Sequence, residues 1–156
     1  MTKILEEGDK VPNFKAQTNS GEIALNDIKE KNIVLYFYPK DMTSGCTIEA
    51  RDFSALKAEF QKKETIIFGD SKDSLSSHEK FIGKENLNID LISDSDLKLC
   101  KLFGAWQEKS MFGKKYMGIV RQTFLIGKDK KLKKIWRKVT VKGHARNVLE
   151  SIESFS

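Results

Sequence analysis

Apolar residues in this chain come in short runs between polar segments, and the longest unbroken run predicts a buried strand. Ile33–Tyr38 holds six apolar or aromatic residues in succession, which is typical of a strand covered on both faces. Pro39 lacks a backbone N–H, so we expect the strand to end there. Lys40–Gly45 is rich in turn-forming residues. From Thr47 the apolar positions follow a helical period, which predicts an amphipathic helix.

The predicted helix separates apolar side chains from charged ones. We expect its apolar face to pack against the sheet, while Glu49 and the other charged residues lie outside that face. The residues assigned to the apolar face are Ile48, Phe53, Leu56 and Phe60.

The N-terminal segment carries shorter alternating stretches at Gly8–Phe14 and Ala16–Leu25. Within the second stretch, Asn19–Gly21 has the composition of a hairpin turn. Asp27–Lys31 is predicted to form a short helical turn before the buried strand. The segment therefore predicts a small β-hairpin ahead of the main domain.

The remainder of the chain alternates between strand and helix patterns. Strands are predicted at Thr65–Gly69, Ile89–Ile92, Ile119–Ile126 and Leu132–Val139. The last two form an antiparallel hairpin through Gly127–Lys131. One helix is predicted after the loop Ser71–Ser77, with Phe81 and Ile82 pointing inward. A second is predicted from a cap at Asp94 or Ser95 through Phe103, and a third over Gly143–Phe155. Gly104–Gly118 is predicted to be a long connection. This order predicts an α/β domain with a mixed central sheet and helices on both faces.

Length and composition indicate one domain in a reducing compartment. A chain of 156 residues can bury one substantial core, so we expect a single domain over residues 1–156. Two cysteines do not make a secreted disulfide framework. No stretch approaches the roughly 20 apolar residues of a membrane span, and the chain starts without the apolar run of a signal peptide. We therefore expect a cytoplasmic protein that binds no membrane.

The net charge of +6 is concentrated in one segment. Lys128–Lys142 contains eight basic residues and one acid, Asp129, which leaves the rest of the chain near neutrality. A basic segment can bind nucleic acid. Here the basic residues alternate with apolar ones, which is typical of a solvated edge strand protected against aggregation. We expect no nucleic-acid partner.

Cys46 follows the turn and is predicted to lie in the first turn of the amphipathic helix. A helix N-terminus offers unpaired backbone N–H groups and the positive end of the macrodipole. Both favour the thiolate, which is the reactive form of cysteine. The alternative is that Cys46 is a small buried hydrophobic residue, as free cysteines often are.

Pro39, Thr43 and Cys46 stand in a Pro-x-x-x-Thr-x-x-Cys arrangement, within the longer string YFYPKDMTSGCTIEARDF. This arrangement resembles the active-site signature of the peroxiredoxins, in particular the Q-type class or bacterioferritin comigratory proteins. GDKVPNF, SKDSLSSHEKF, LISDSDLKL, RQTFLI and WRKVTVKGHARNVL extend the similarity along almost the whole chain. The resemblance implies a thioredoxin-like fold with an N-terminal β-hairpin extension. It also implies a thiol peroxidase for hydrogen peroxide and organic hydroperoxides that needs no cofactor.

The resemblance assigns roles to four residues. Cys46 attacks the peroxide and becomes a sulfenic acid. Arg121 is the cation beside it, although a strand arginine that faces solvent is the ordinary alternative. The Thr43 hydroxyl bonds the thiolate and the peroxide, or serves only as a turn or helix cap. Pro39 shields the thiolate from water, or simply ends the strand. Backbone N–H groups of Gly45 and Cys46 supply further donors.

Recycling of Cys46 departs from the pattern of the class. Q-type members carry a second, resolving cysteine at the position of Arg51 or in the helix that here contains Ile82. The only other thiol is Cys100, on a predicted apolar helix ridge, where a core packing role is the alternative to a resolving one. We expect a one-cysteine cycle with thioredoxin or a small thiol as reductant, in a monomer or weak dimer.

His78 and His144 are interpreted as helix caps or surface residues without a catalytic role. With the two cysteines they lack any zinc-ligand spacing, so no metal site is expected. Two other functions compete with peroxide turnover. A thiol–disulfide oxidoreductase would normally carry Cys-x-x-Cys, whereas this chain has Ser-Gly-Cys-Thr. A redox sensor or binding protein would use Cys46 as a peroxide switch without turnover.

Overall fold

The apolar run at Ile33–Tyr38 supplies most of the third strand of the chain, which spans Asn32–Phe37 and lies inside a seven-stranded sheet. We describe residues 4–152 of a computed structural model of the chain. The strands are β1 Lys15–Thr18, β2 Gly21–Ala24, β3 Asn32–Phe37, β4 Thr65–Ser71, β5 Asp90–Ser93, β6 Trp106–Met111, β7 Lys114–Ile119, β8 Gln122–Ile126 and β9 Leu132–Trp136. The helices are α1 Ser44–Ala55, α2 Lys57–Lys62, α3 Leu75–Glu85, α4 Lys98–Phe103 and α5 His144–Ile152.

The sheet is mixed, as the sequence predicted. Its strand order is β2-β1-β5-β4-β3-β8-β9. Strands β3, β4 and β5 run parallel, whereas β8 is antiparallel to β3 and to β9. The predicted N-terminal hairpin is present as β1 and β2, and β1 pairs with the edge of β5. The basic segment supplies β9, which is an edge strand as expected.

Two hydrophobic cores cover the two faces of the sheet, because successive side chains of a strand point to opposite sides. Ile33, Leu35 and Phe37 of β3 belong to one core, which is closed by α4 and the N-terminal segment. Val34 and Tyr36 belong to the other core, which is closed by α1, α2, α3 and α5. The two cysteines are divided between them. Cys46 lies in the second core and Cys100 in the first.

The helix that carries Cys46 differs from the prediction in its length and in its buried face. It begins at Ser44 rather than near Thr47, and it stops at Leu56, after which α2 continues at a break. Ile48, which was assigned to the apolar face, is 52% exposed, whereas Glu49 is buried. The buried face follows Cys46, Ala50 and Phe53 because the sheet lies against that side. These two assignments from helical periodicity were therefore wrong.

The segment Gly104–Gly118 was wrongly predicted to be a connection. It contains the antiparallel hairpin β6–β7, which forms a separate two-stranded sheet. The predicted strand Ile119–Ile126 is correspondingly divided. Val120 donates its N–H to the carbonyl of Ala105 at 2.7 Å, and the chain then crosses to the central sheet. Arg121 lies in this crossing rather than on an alternating strand.

Several boundaries also differ from the prediction. Gly8–Phe14 forms no named strand, and only Lys10 makes an isolated bridge, to Lys131. The helical turn expected at Asp27–Lys31 is a 3₁₀ turn at Leu25–Asp27. Strand β4 continues through Ser71, and β9 ends at Trp136 before the predicted Val139. The predicted end of the last helix at Phe155 lies outside the described residues. Among residues 4–152, no helix has both the length and the apolarity needed to cross a bilayer.

A buried pair of carboxyl groups joins β4 to the start of α4. Asp94 accepts the backbone N–H groups of Leu99 and Cys100 at 3.2 and 2.8 Å and so satisfies donors of the helix start. The N-cap residue itself is Leu97, and not Asp94 or Ser95 as predicted. Asp70 is fully buried beside Asp94. Its Oδ2 has no hydrogen-bond donor among the described residues, which an ionised carboxylate would need. Burial, followed by the charge of Asp94, raises the pKa of Asp70 well above its ordinary value. Asp70 is therefore a neutral acid that donates to Asp94.

The buried proton on Asp70 predicts a pH-dependent stability. In the folded state Asp70 keeps its proton, whereas in the unfolded chain it ionises near pH 4, so stability is lost as pH rises above that value. Asp70→Asn keeps a donor toward Asp94 without an ionising group. We expect this variant to exceed the wild-type unfolding free energy by about 1 kcal/mol or more at about pH 8, measured by urea denaturation.

The matched control is Asp27→Asn, which changes an exposed carboxylate in the 3₁₀ turn. The difference in unfolding free energy between this variant and wild type is expected to stay constant between about pH 5 and pH 8. An Asp70→Asn variant that is less stable than wild type at every pH would contradict the neutral assignment.

Candidate active site

Cys46 lies in the first turn of α1, where the sequence placed it. Thr43 is the N-cap residue, with an extended backbone, and the helix starts at Ser44. The thiol is 1% exposed and packs in the core between α1 and the sheet. Its backbone N–H is one of the unpaired donors at the helix start. The local order of strand, turn and helix thus presents a buried sulfur among backbone donors.

Arg121 reaches Cys46 from the crossing between β7 and β8. Its Nη2 donates to Cys46 Sγ at 3.3 Å, and its Nη1 donates to Glu49 Oε1 at 2.5 Å. Burial by itself lowers the pKa of Arg121, but the charges of Glu49 and Cys46 outweigh burial and raise it. A Cβ on Gly45 would stand 3.3 Å from Nη2, so the glycine gives the guanidinium room to approach. The structure therefore brings together the sulfur and the cation that the sequence proposed.

Glu49 is a site residue that the sequence reasoning missed. It is 1% exposed, and its Oε2 has no hydrogen-bond partner among residues 4–152. Burial raises the pKa of Glu49 to about 7, against the opposing charge of Arg121. The available signal was its spacing of three residues from Cys46, which places both side chains on one helix face. Glu49 anchors the guanidinium that faces the sulfur.

Thr43 and Pro39 lie in the loop that leads into α1. The Thr43 hydroxyl donates to the carbonyl of Lys40 at 2.9 Å, and the Thr43 carbonyl accepts the N–H of Thr47. This geometry suits the turn-stabilising role that the sequence left open. Pro39 is half-buried directly after Tyr38, whose N–H still pairs with Asp70 of β4. The roles of Thr43 toward peroxide and of Pro39 as a shield stay predictions.

The two histidines are buried, so their interpretation as caps or surface residues was wrong. His144 Nε2 lies 2.7 Å from Thr123 Oγ1, and its ring meets Phe53 edge-on at 6.1 Å. Burial, with a smaller effect of Arg121, lowers the pKa of His144 to about 4. His144 is therefore neutral at pH 7 and adds no charge behind the guanidinium. His78 is also fully buried and pairs with Asp41.

Cys100 lies outside this site. Its thiol donates to Asp70 Oδ1 at 3.6 Å, and burial followed by the charges of Asp70 and Asp94 raises its pKa. Within the described part of the chain, one group of side chains could hold a metal ion. Its ligand atoms lie within 4.8 Å of one another, and its members are Asp70, Asp94 and Cys100. Asp94 is already occupied by backbone donors, and Asp70 retains its proton. The expectation of no metal site stays a prediction.

The arrangement suits nucleophilic attack by sulfur on a polarised substrate. Backbone N–H groups at the helix start and the Arg121 guanidinium are preset donors around the sulfur. Such donors stabilise both a thiolate and negative charge that develops on a leaving oxygen. A sulfur with donors of this kind and no second cysteine in its core can be oxidised and then reduced by an external thiol.

Known proteins match this chain along most of its length. The AhpC/TSA family model matches residues 7–135. "Putative peroxiredoxin bcp" of Helicobacter pylori strain J99 is 46% identical over 149 residues, which cover 95% of this chain and 98% of that protein. "Peroxiredoxin Bcp" of Bacillus subtilis is 46% identical over 153 residues, which cover 97% of this chain and 98% of that protein.

A solved structure of the Xanthomonas campestris bacterioferritin comigratory protein has the same fold. It superposes with a TM-score of 0.87 at 40% identity and covers 91% of each chain. The fold and the site together define a thiol peroxidase with a thioredoxin-like fold. The chain belongs to the AhpC/TSA family, and its relatives are the Bcp peroxiredoxins.

The contact between Arg121 and the sulfur predicts a loss of reactivity in Arg121→Ala. Removal of one preset donor should slow oxidation of Cys46 by hydrogen peroxide on the order of a hundredfold. The measurement is a single-turnover rate with quenching and mass analysis. Arg51→Ala removes an exposed arginine from the same helix and should oxidise at the wild-type rate. Equal rates in wild type and Arg121→Ala would refute the assignment.

The pKa of Glu49 predicts the pH dependence of the same reaction. Above about pH 7 the ionised carboxylate makes a charge-assisted bond that holds Arg121 at the sulfur, so the oxidation rate should rise through that range. Glu49→Gln should lose this inflection and oxidise more slowly at about pH 8. Glu59→Gln, which changes an exposed carboxylate on α2, is the control. If the oxidation rate of Glu49→Gln still rose near pH 7, the rise would have to come from a group other than Glu49.

Proposed function

We propose that Cys46 is the residue that reduces peroxide, with Arg121 and Thr43 as its partners and Pro39 as a shield. The observation that carries the proposal is the 3.3 Å contact between Arg121 Nη2 and Cys46 Sγ at the start of a helix. Burial of this sulfur keeps bulk water from competing for the same donors.

In the proposed reaction the Cys46 thiolate attacks the outer oxygen of a hydroperoxide. The S–O bond forms as the O–O bond breaks, so sulfur is oxidised to a sulfenic acid. The leaving oxygen takes up the proton that the thiol lost on ionising, and the product is water or an alcohol. Arg121 and the backbone N–H groups at Gly45 and Cys46 stabilise the charge on that oxygen.

Hydrogen peroxide and organic hydroperoxides are the proposed substrates. The Xanthomonas campestris protein was studied for alkyl peroxide reduction, which supports the organic class for this chain. Ile48 on α1 is 52% exposed and Met42 in the preceding loop is 42% exposed. Apolar side chains exposed on either side of Cys46 in the sequence suit the organic part of a hydroperoxide.

The proposed cycle uses one cysteine of this chain. Cys46 and Cys100 pack in different cores on opposite faces of the sheet. A disulfide needs Cα atoms within about 7 Å, and the strands of the sheet separate these two side chains. The sulfenic acid is therefore reduced by two equivalents of an external thiol, which yield a disulfide and water. Thioredoxin or a small thiol in the cytoplasm is the proposed donor, and the protein acts as a monomer or weak dimer.

Replacement of each cysteine tests this proposal. Cys46→Ser should abolish peroxide consumption in an assay with thioredoxin, its reductase and NADPH, and in a second assay with dithiothreitol. Cys100→Ser should keep the turnover of wild type within about twofold, because it only removes a weak buried donor. Circular dichroism of both variants checks that the fold is retained.

Two outcomes would contradict the proposal. Peroxide consumption by Cys46→Ser would move the reaction to another residue. A monomeric species lighter by two hydrogens with a Cys46–Cys100 bond, together with lost turnover in Cys100→Ser, would make this a two-cysteine enzyme. Oxidation of Cys46 without turnover by either donor would indicate a peroxide sensor.

A further inference from the structure

Asp41, in the loop before α1, is the centre of a buried hydrogen-bond network. It is 5% exposed and accepts three side-chain hydrogen bonds. Tyr38 donates to its Oδ1 at 2.6 Å. Ser77 and His78, both on α3, donate to its Oδ2 at 2.7 and 2.8 Å. The network therefore joins the end of β3, the loop before Cys46 and the first turn of α3.

Both ring nitrogens of His78 face hydrogen-bond acceptors in this network. Its Nδ1 faces the carboxylate of Asp41, and its Nε2 lies 2.9 Å from the carbonyl oxygen of Ile92. Both partners are acceptors, so each ring nitrogen carries a proton. Asp41 and His78 thus form a buried ion pair, with side chains 2% and 0% exposed. Removal of one charge from such a pair leaves the other without compensation.

The backbone of the loop is held in the same place. The N–H of Asp41 donates to Asp73 Oδ2 at 2.8 Å, and Asp73 also accepts the hydroxyl of Ser71. Met42, the next residue, has a φ of 66°, which is unfavourable for a side chain of its size. Its side chain is 42% exposed and so makes few contacts that could hold this conformation. The contacts of Asp41 hold the loop in its strained shape.

The loop determines where the active-site donors lie. Thr43 follows Met42 as the N-cap of α1, and the helix start carries the N–H groups near Cys46. We propose that the Asp41–His78 ion pair is a positioning device that holds the loop Pro39–Thr43, and with it Thr43 and the start of α1, in the geometry needed for peroxide attack. This inference rests on the proposed function of Cys46. It assigns to Asp41 and His78 a role that acts through the loop rather than through contact with peroxide.

Asp41→Asn is the variant that tests this role. The asparagine side chain has almost the same shape as that of Asp41. His78 can become neutral, accept from the new amide and still donate to Ile92, so the fold is retained. The variant loses the ion pair, and the loop is then less firmly held. We expect the single-turnover oxidation of Cys46 by hydrogen peroxide to slow about tenfold or more, since small displacements of aligned groups have large effects on rate.

A second reagent separates positioning from a general loss of structure. Alkylation of Cys46 by iodoacetamide needs the thiolate but not the peroxide-binding geometry, so it should stay within about threefold of wild type. His78→Gln should likewise react more slowly with hydrogen peroxide while its rate with iodoacetamide stays within about threefold of wild type. Glu79→Gln removes an exposed carboxylate next to His78 on α3 and is the matched control. Its rates with both reagents should equal those of wild type.

Nitrogen-15 NMR tests the charge of His78 directly. The chain has two histidines, and His144 is neutral at pH 7, so the two rings are readily distinguished. We expect two protonated nitrogens on His78 at pH 7 in wild type and a neutral ring in Asp41→Asn. A neutral His78 in wild type would overturn the ion pair.

The kinetic outcomes are equally decisive. Peroxide oxidation of Asp41→Asn at the wild-type rate would overturn the proposal, as would a parallel fall of peroxide and iodoacetamide rates. Failure of the proposed function itself would appear differently, as peroxide consumption that survives in Cys46→Ser.

Discussion

The candidate active site depends on one contact, between the buried sulfur of Cys46 and the partly buried guanidinium of Arg121. The two groups are distant in sequence and meet because β8 lies beside β3, the strand that leads into the cysteine loop. A guanidinium that loses part of its water needs a partner, and Glu49 provides that pairing from the same helix as the sulfur. The helix start, the arginine and the glutamate thus form a single electrostatic unit. Removal of any one member leaves a buried charge or sulfur without its partner.

The central sheet determines which thiols can react together. Alternation of side chains along β3 divides the interior into two cores, and each core holds one cysteine. Cys46 is surrounded by preset donors, whereas Cys100 lies beside two carboxyl groups that oppose its ionisation. The same alternation therefore gives the two sulfurs opposite electrostatic environments. This separation supports the proposed external reductant, because no second thiol lies in the described part of the core around Cys46.

Buried polar groups connect the elements around the candidate active site. The Asp41–His78 pair connects the cysteine loop to α3, and Asp70 with Asp94 connects β4 to α4. The Asp41 carboxylate has hydrogen-bond contacts to the side chains of Tyr38, Ser77 and His78. Fully satisfied networks of this kind favour a unique arrangement of the elements they join. The Asp41 network lies next to Met42, whose backbone angle is unfavourable.

The sequence by itself determined the features that depend on neighbouring residues. The apolar run before Pro39, the turn residues and the helix that begins near Cys46 were predicted because strand burial, turn formation and capping are local effects. The mixed sheet with helices on both faces and the N-terminal hairpin were confirmed for the same reason. The hairpin β6–β7 was missed because its strands have little buried apolar periodicity, with Phe112 at its turn 98% exposed.

The tertiary structure alone decided which charged and polar side chains are buried. Helical periodicity placed Glu49 outside and Ile48 inside, yet the sheet packs on the other side of the helix, where Glu49 finds its partner Arg121. The burial of His78 and His144 likewise depends on partners in other elements, Asp41 and Thr123. A polar group is stable in the interior only when a distant segment satisfies its hydrogen bonds. No local pattern carries that information, so these positions could be assigned only from the folded chain.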